Sequence, residues 1–283
     1  MLRKHPSDKD RPPRFKGTTV ARMIPNMITV ASTCAGLTGI RYALEGRWEF
    51  AVAAILVAAL LDALDGRMAR LLRATSDFGA QLDSLSDFVA FGVSPALIVW
   101  LWGLSELGGI GWGIALFYAV CGGLRLARFN SRLDKLPPYA FNYFQGVPAP
   151  AGAAIALLPL AIGFTLGDPS TIPAWAAGIW MVCTALLMVS EVPTYSFKKF
   201  KLAPKFVLPF MVSIGLLIAG LASAPWEVLS LVGLAYLGTI PLSITSYRRL
   251  KSEAERLQAD APGAQGEAGT DKNSAAIHPL RKS

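Results

Sequence analysis

The chain has 283 residues, 53% of them hydrophobic and only 16% charged, with a mean hydropathy of +0.44. That composition excludes an ordinary soluble domain and describes an integral membrane protein with room for several spans of about 20 residues each. The net charge of +8 does not mark a nucleic-acid binder: the basic residues gather in tails and between apolar runs, and no basic stripe interleaves with stacking aromatics.

Residues 1–22 are polar and carry seven Lys or Arg. A signal peptide would place its apolar core nearer Met1, so this segment reads as a cytoplasmic tail. A first span is expected over residues 23–43, opening on Pro25, Asn26 and Thr29. Proline suits an early helical position, and Asn26 and Thr29 bring polar groups to the membrane edge. Helix capping accounts for them, with a role at a nucleotide site as the alternative.

The second span covers residues 49–72 and the third 79–101, with Gly92 and Pro95 predicting a kink in the latter. A fourth span is expected over 110–126, a fifth over 150–166, a sixth over 174–190, a seventh over 206–221 and an eighth over 226–244. The segments SRLDKLPPYAFNYFQG and EVPTYSFKKFKLAPK form polar connections, and residues from about 255 onward read as disordered. The organisation is a basic tail (1–22), one membrane domain (23–247) without internal repeats, and a carboxyl tail (248–283). The fold class is an all-α polytopic bundle of about eight transmembrane helices. Of the basic residues, only Arg41 and Arg47 fall on one side of such a bundle, so the positive-inside rule places both termini in the cytoplasm.

Cys34, Cys121 and Cys183 lie in apolar runs without paired spacing and read as small buried hydrophobes. His5 and His278 lie in the tails, which leaves no histidine in the body of the protein for a histidine-based nucleophilic mechanism.

The chemistry concentrates in DALDGRMARLLRATSDFGAQLDSLSD, residues 62–87. Asp62, Asp65, Asp83 and Asp87 fall within apolar runs, where an ionisable group costs roughly 2.5–3.5 kcal/mol on insertion scales. Asp77 falls in the polar turn and needs no special account. On helices, Asp62 and Asp65 share a face at i, i+3, and Asp83 and Asp87 at i, i+4. Four carboxylates without Cys or His nearby are hard ligands for Mg²⁺, Mn²⁺ or Ca²⁺. Gly66, Ala69 and Gly79 leave room beside the acids, and Arg70 offers a fork for phosphate. Interhelical polar packing or a cation-coupled transporter's ion path is the rival account of such acids. Arg125 and Arg128, in RLARFN, are read either as snorkelling at a helix end or as a clamp for an acceptor carboxylate or lipid phosphate.

The spacing D-x2-D-G-x2-A-R-x8-G-x3-D-x3-D resembles the signature of the CDP-alcohol phosphotransferase family, with every fixed position matched. The resemblance implies that Asp62, Asp65 and Asp83 hold divalent metal, two ions per site, with Asp87 completing the ligand set and acting as general base. It also implies that Asp62, Gly66, Ala69, Arg70 and Gly79 contact the CDP moiety. Asn26 and Thr29 join them, because a P-N-x-x-T start to the first helix is common in the family. RLARFN, GVPAPAGA and EVPTYSFKK are similar to segments of its bacterial membrane phosphatidylserine synthases; Ser32 and Ala35 depart from the Asn and Cys often found there. The implied activity is phosphatidyl transfer from CDP-diacylglycerol to L-serine by a homodimer among the lipids of a bacterial inner membrane, with a cytoplasm-facing site. Glycerol 3-phosphate, an inositol phosphate or choline is the alternative acceptor.

Overall fold

The computed structural model describes residues 19–132, 143–190, 193–195 and 207–259. Most of the amino-terminal tail, the greater part of both polar connections and the last 24 residues lie outside the described residues. The fold is helical: α1 (Thr19–Leu44), α2 (Trp48–Leu71), α3 (Asp77–Asp87), α4 (Ser94–Trp102), α5 (Gly109–Arg132), α6 (Ala149–Ala156), α7 (Leu158–Thr165), α8 (Ala174–Val189), α9 (Val207–Ser223) and α10 (Pro225–Ala259). A ribbon of two three-residue strands, β1 (Tyr143–Gln145) and β2 (Pro193–Tyr195), is added to the expected all-α architecture. Among the described residues, three helical stretches are long and apolar enough to cross a membrane: Met23–Leu44, Asp77–Trp102 and Gly109–Ser131. Helices α8 and α9 are apolar but shorter. The helix that opens at Pro225 runs on to Ala259, so the charged stretch expected to begin the carboxyl tail is helical.

Helix α1 lies along α2 on one side and against α3 and α4 on another, while α5 packs on α8. These contacts are close because small residues line them. A methyl group at Gly36 would sit 2.8 Å from the Ala90 backbone, and one at Gly39 would sit 3.1 Å from the Ala51 carbonyl oxygen. Small residues let membrane helices approach backbone to backbone. Ala51, Ala58, Ala90, Phe91, Tyr118 and Met181 are all fully buried in the resulting core.

The kink expected in the third span is a π-helical turn, Phe88–Val93, placed directly after Asp87. Pro95 has no N–H to return to the preceding turn. The orphaned Phe91 carbonyl instead accepts from the Tyr118 hydroxyl of α5 at 3.1 Å, and Ser94 Oγ donates to the Val89 carbonyl at 2.9 Å. Pro159 acts in the same way. The span expected over 150–166 is divided at Leu157 into α6 and α7, and the freed Ile155 carbonyl accepts from Trp180 Nε1 at 2.7 Å. Broken backbone at membrane depth is tolerated when another helix supplies the missing donor.

Six of the seven tryptophans stand near the helix ends remote from the aspartates. Trp48 and Trp102 line one cavity there, Trp112 meets Trp100 with ring centroids 5.2 Å apart, and Trp226 meets Phe164 at 4.6 Å. Trp175 opens α8 at the same end. Only Trp180 lies deeper.

Candidate active site

The helical hairpin α2–α3 brings the aspartates together. Helix α2 ends at Leu71, and Arg73 takes a positive φ of 50° in the turn. Ser76 then caps α3 from an extended backbone, its Oγ accepting from the Gly79 N–H at 3.0 Å. Asp77 is exposed in the first turn of α3, where the helix dipole favours a carboxylate.

One carboxylate oxygen from each of Asp62, Asp83 and Asp87 lies within 4.8 Å of the others. Two carboxylates this close repel each other unless a proton or a cation lies between them. Asp87 Oδ1 is buried and has no hydrogen-bond partner among the described residues. The trio offers hard oxygen ligands alone, and an orphaned oxygen beside two other carboxylates fits a divalent cation of the Mg²⁺, Mn²⁺ or Ca²⁺ kind.

Asp65 stands apart from this trio. Its side chain is buried, and Oδ2 accepts from Thr29 Oγ1 at 2.7 Å. The four acids therefore divide three and one, and Asp83 joins the two parts. It belongs to the trio and also lines, with Asp65, an adjoining cavity of about 240 Å³. Asn26, Thr29, Gly66, Ala69, Arg70 and Gly79 all line that cavity, so the predicted nucleotide contacts converge. Asp62 does not line it; its carboxylate faces the trio. A methyl group at Gly66 would meet nothing within 4 Å, whereas one at Gly79 would come within 3.1 Å of Asn26 Oδ1. Gly66 thus keeps cavity volume open, and Gly79 permits the approach of α3 to α1.

The two arginines of RLARFN have different surroundings. Arg125 reaches into the interior, where its charge acts on Asp87 and where Tyr118 and Tyr236 also face it; its Nε is buried without a partner. Arg128 donates through a terminal guanidinium nitrogen to the Val189 carbonyl at 2.6 Å. It ties the end of α5 to the end of α8, and among the described residues no hydrogen bond or ion pair links it to the aspartates. Asn130 Nδ2 donates to Ser84 Oγ at 2.9 Å, holding α5 to the turn between Asp83 and Asp87.

The sequence profile described as "CDP-alcohol phosphatidyltransferase" matches residues 22–190. The chain belongs to the CDP-alcohol phosphatidyltransferase family. A second profile, "CDP-alcohol phosphatidyltransferase 2", matches residues 205–241. The CDP-diacylglycerol–serine O-phosphatidyltransferase of Mycobacterium tuberculosis (strain CDC 1551 / Oshkosh) is 38% identical over 245 residues, 86% of this chain and 85% of its own length. The enzyme of the same name from Helicobacter pylori (strain ATCC 700392 / 26695) is 34% identical over 63% of this chain and 74% of its own. That of Bacillus subtilis (strain 168) is 38% identical over 177 residues, 62% of this chain but 92% of its own.

Several features of this CDP-alcohol phosphatidyltransferase's site lie outside the signature. Ala74, Thr75, Ser76 and Ala80 also form part of the cavity wall, and Ser76 is legible in retrospect as a helix cap before the acids. Tyr236 carries no sequence signal, because only the packing of α10 brings it near Arg125.

Proposed function

We propose that this CDP-alcohol phosphatidyltransferase transfers a phosphatidyl group from CDP-diacylglycerol to the hydroxyl of L-serine and releases CMP. The observation that carries the reading is the placing of the Asp62–Asp83–Asp87 trio against the cavity that Asp83 and Asp65 share. The names of the relatives supply the acceptor. Asp62, Asp65, Asp83 and Asp87 would hold two divalent metal ions, which would supply charge neutralisation of the diphosphate and polarisation of its phosphorus. Asn26, Gly66, Ala69, Arg70 and Gly79 hold the cytidine and its phosphates in the cavity. Arg125, with its Nε unsatisfied, receives the serine carboxylate. Asp87 Oδ1 takes the hydroxyl proton as the serine oxygen attacks the phosphorus of the phosphatidyl group. A new P–O bond forms, the bond to CMP breaks, and the proton resides on Asp87. No covalent phosphatidyl-enzyme is involved. Asp83, which belongs to the trio and also lines the cavity, joins the two parts of the ligand set.

In this reading residues 23–247 form one domain making eight crossings, between an amino-terminal tail and a carboxyl tail. Both termini and the aspartates face the cytoplasm of a bacterium, and the protein works as a homodimer in the inner membrane. The charge asymmetry that leaves only Arg41 and Arg47 on the far side supports that orientation.

The test is CMP release from CDP-diacylglycerol by purified protein with Mn²⁺ or Mg²⁺, comparing serine with glycerol 3-phosphate, inositol phosphate and choline. Serine-dependent release, lost in Asp87→Asn, is expected. Release driven by another acceptor overturns the substrate, and trapping of a phosphatidylated side chain overturns the direct attack.

A further inference from the structure

The family resemblance places Thr29 beside the nucleotide, but its hydroxyl proton has other acceptors. Thr29 is 4% exposed. Its Oγ1 lies 3.0 Å from the Pro25 carbonyl oxygen, the ordinary back-bond of a helical threonine, and 2.7 Å from Asp65 Oδ2 on the neighbouring helix. The shorter, charge-assisted contact is the stronger.

The same residue grips α3 through its backbone. Ser86 Oγ donates to the Thr29 carbonyl at 3.0 Å, and Thr33 Oγ1 donates to Ser86 Oγ at 2.8 Å. Ser86 is buried and immediately precedes Asp87. A third tie, from Ser32 Oγ to the Ala58 carbonyl at 2.9 Å, joins α1 to α2 one turn before Asp62.

We infer that Thr29 is a positioning residue: its side chain fixes the carboxylate of Asp65 while its carbonyl, through Ser86, fixes the height of the α3 acids against it. Helix α1 is then the template on which both halves of the ligand set are registered. The inference rests on the metal reading above but not on serine as acceptor. Hydrogen bonds that orient ligating carboxylates govern metal affinity as well as activity.

The experiment measures Mn²⁺ binding to the full-length protein in nanodiscs by electron paramagnetic resonance, without CDP-lipid or acceptor. Thr29→Val keeps the shape and removes the hydroxyl; Thr29→Ser keeps the hydroxyl. In Thr29→Val, Mn²⁺ binding should weaken about 10- to 100-fold, and Thr29→Ser should restore it. At saturating Mn²⁺ the CDP-diacylglycerol concentration for half-maximal CMP release should stay within about twofold of the unaltered protein, since one tenfold step would signal a lost ligand contact. In an Asp65→Asn background Thr29→Val should add nothing.

Mn²⁺ binding by Thr29→Val equal to that of the unaltered protein overturns the inference, as does an effect that persists in full beside Asp65→Asn. Should Thr29→Val yield no folded protein, Ser86→Ala carries the test. It should weaken Mn²⁺ binding by about threefold, the worth of an average buried hydrogen bond between membrane helices, and no change overturns the template. Unaltered protein that releases CMP yet binds no Mn²⁺ overturns the metal reading and this inference together. A change of acceptor overturns the proposed substrate alone.

Discussion

Tyr118→Phe removes one oxygen from a fully buried ring and leaves the packing volume in place. That oxygen satisfies the Phe91 carbonyl, which Pro95 leaves without a backbone donor. Tyr118 is 0% exposed, so water does not take the place of the hydroxyl. An unsatisfied buried carbonyl costs about 1–3 kcal/mol, and hydrogen bonds between membrane helices reach about 1.7 kcal/mol at most in measured cycles. The expected loss is therefore about 1–1.5 kcal/mol. The assay is equilibrium unfolding in mixed micelles, run on Tyr118→Phe, Pro95→Ala and the double variant. Alanine at position 95 restores a backbone N–H to the turn, so in that background the tyrosine substitution should cost under about 0.5 kcal/mol. An equal cost in both backgrounds would refute the pairing of proline and tyrosine.

Asp87→Asn should lower the rate of CMP release by about two orders of magnitude or more, the usual worth of a positioned base, with folding intact by circular dichroism. Arg125→Met should raise the KM for the acceptor about tenfold, equivalent to about 1.4 kcal/mol. Arg128→Met should leave that KM unchanged and lower stability by about 1.5–3 kcal/mol, the range for a hydrogen bond to a charged group; a reversed pattern in kinetics and unfolding would exchange their roles. Gly146 has a φ of +76°, and a methyl group there would lie 2.5 Å from the Met188 carbonyl oxygen. Gly146→Ala should therefore cost more than about 2 kcal/mol in thermal unfolding, the strain of a left-handed residue plus the clash. Stripping divalent metal with a chelator should abolish CMP release, and Mn²⁺ or Mg²⁺ should restore it.

The signature was legible because helical periodicity fixes which residues share a face. Spacing put Gly66, Ala69 and Gly79 beside the acids, and the resemblance to the family signature joined them with Arg70 in one pocket, where all four line the same cavity. Periodicity says nothing of rotamers, which is why the separation of Asp65 from Asp62, Asp83 and Asp87 could not be foreseen. It depends on a hydroxyl from α1. The π-helical turn after Asp87 and the break at Leu157 were hidden for a related reason. A proline announces a lost donor, but Tyr118 and Trp180, which replace it, come from 23 and 21 residues further along the chain. Arg125 and Arg128 were indistinguishable as basic residues near a helix end. Tertiary packing separates them, since Arg128 meets the Val189 carbonyl while Arg125 turns toward Asp87 and Tyr118.

The gathering of six tryptophans at one end has a mechanical consequence. Indole rings favour the level of the lipid headgroups, so the expected anchor of this molecule is the end of α2 about 21 Å from Asp62, counting 14 residues at 1.5 Å each. With its depth set at the far interface, the molecule passes any change in bilayer thickness to the carboxylate end. In a thicker bilayer the trio lies deeper than the diphosphates of the surrounding lipids; in a thinner one it lies shallower. Acyl-chain length of the host membrane thereby becomes a variable of catalysis in its own right, since hydrophobic mismatch is taken up at the unanchored end.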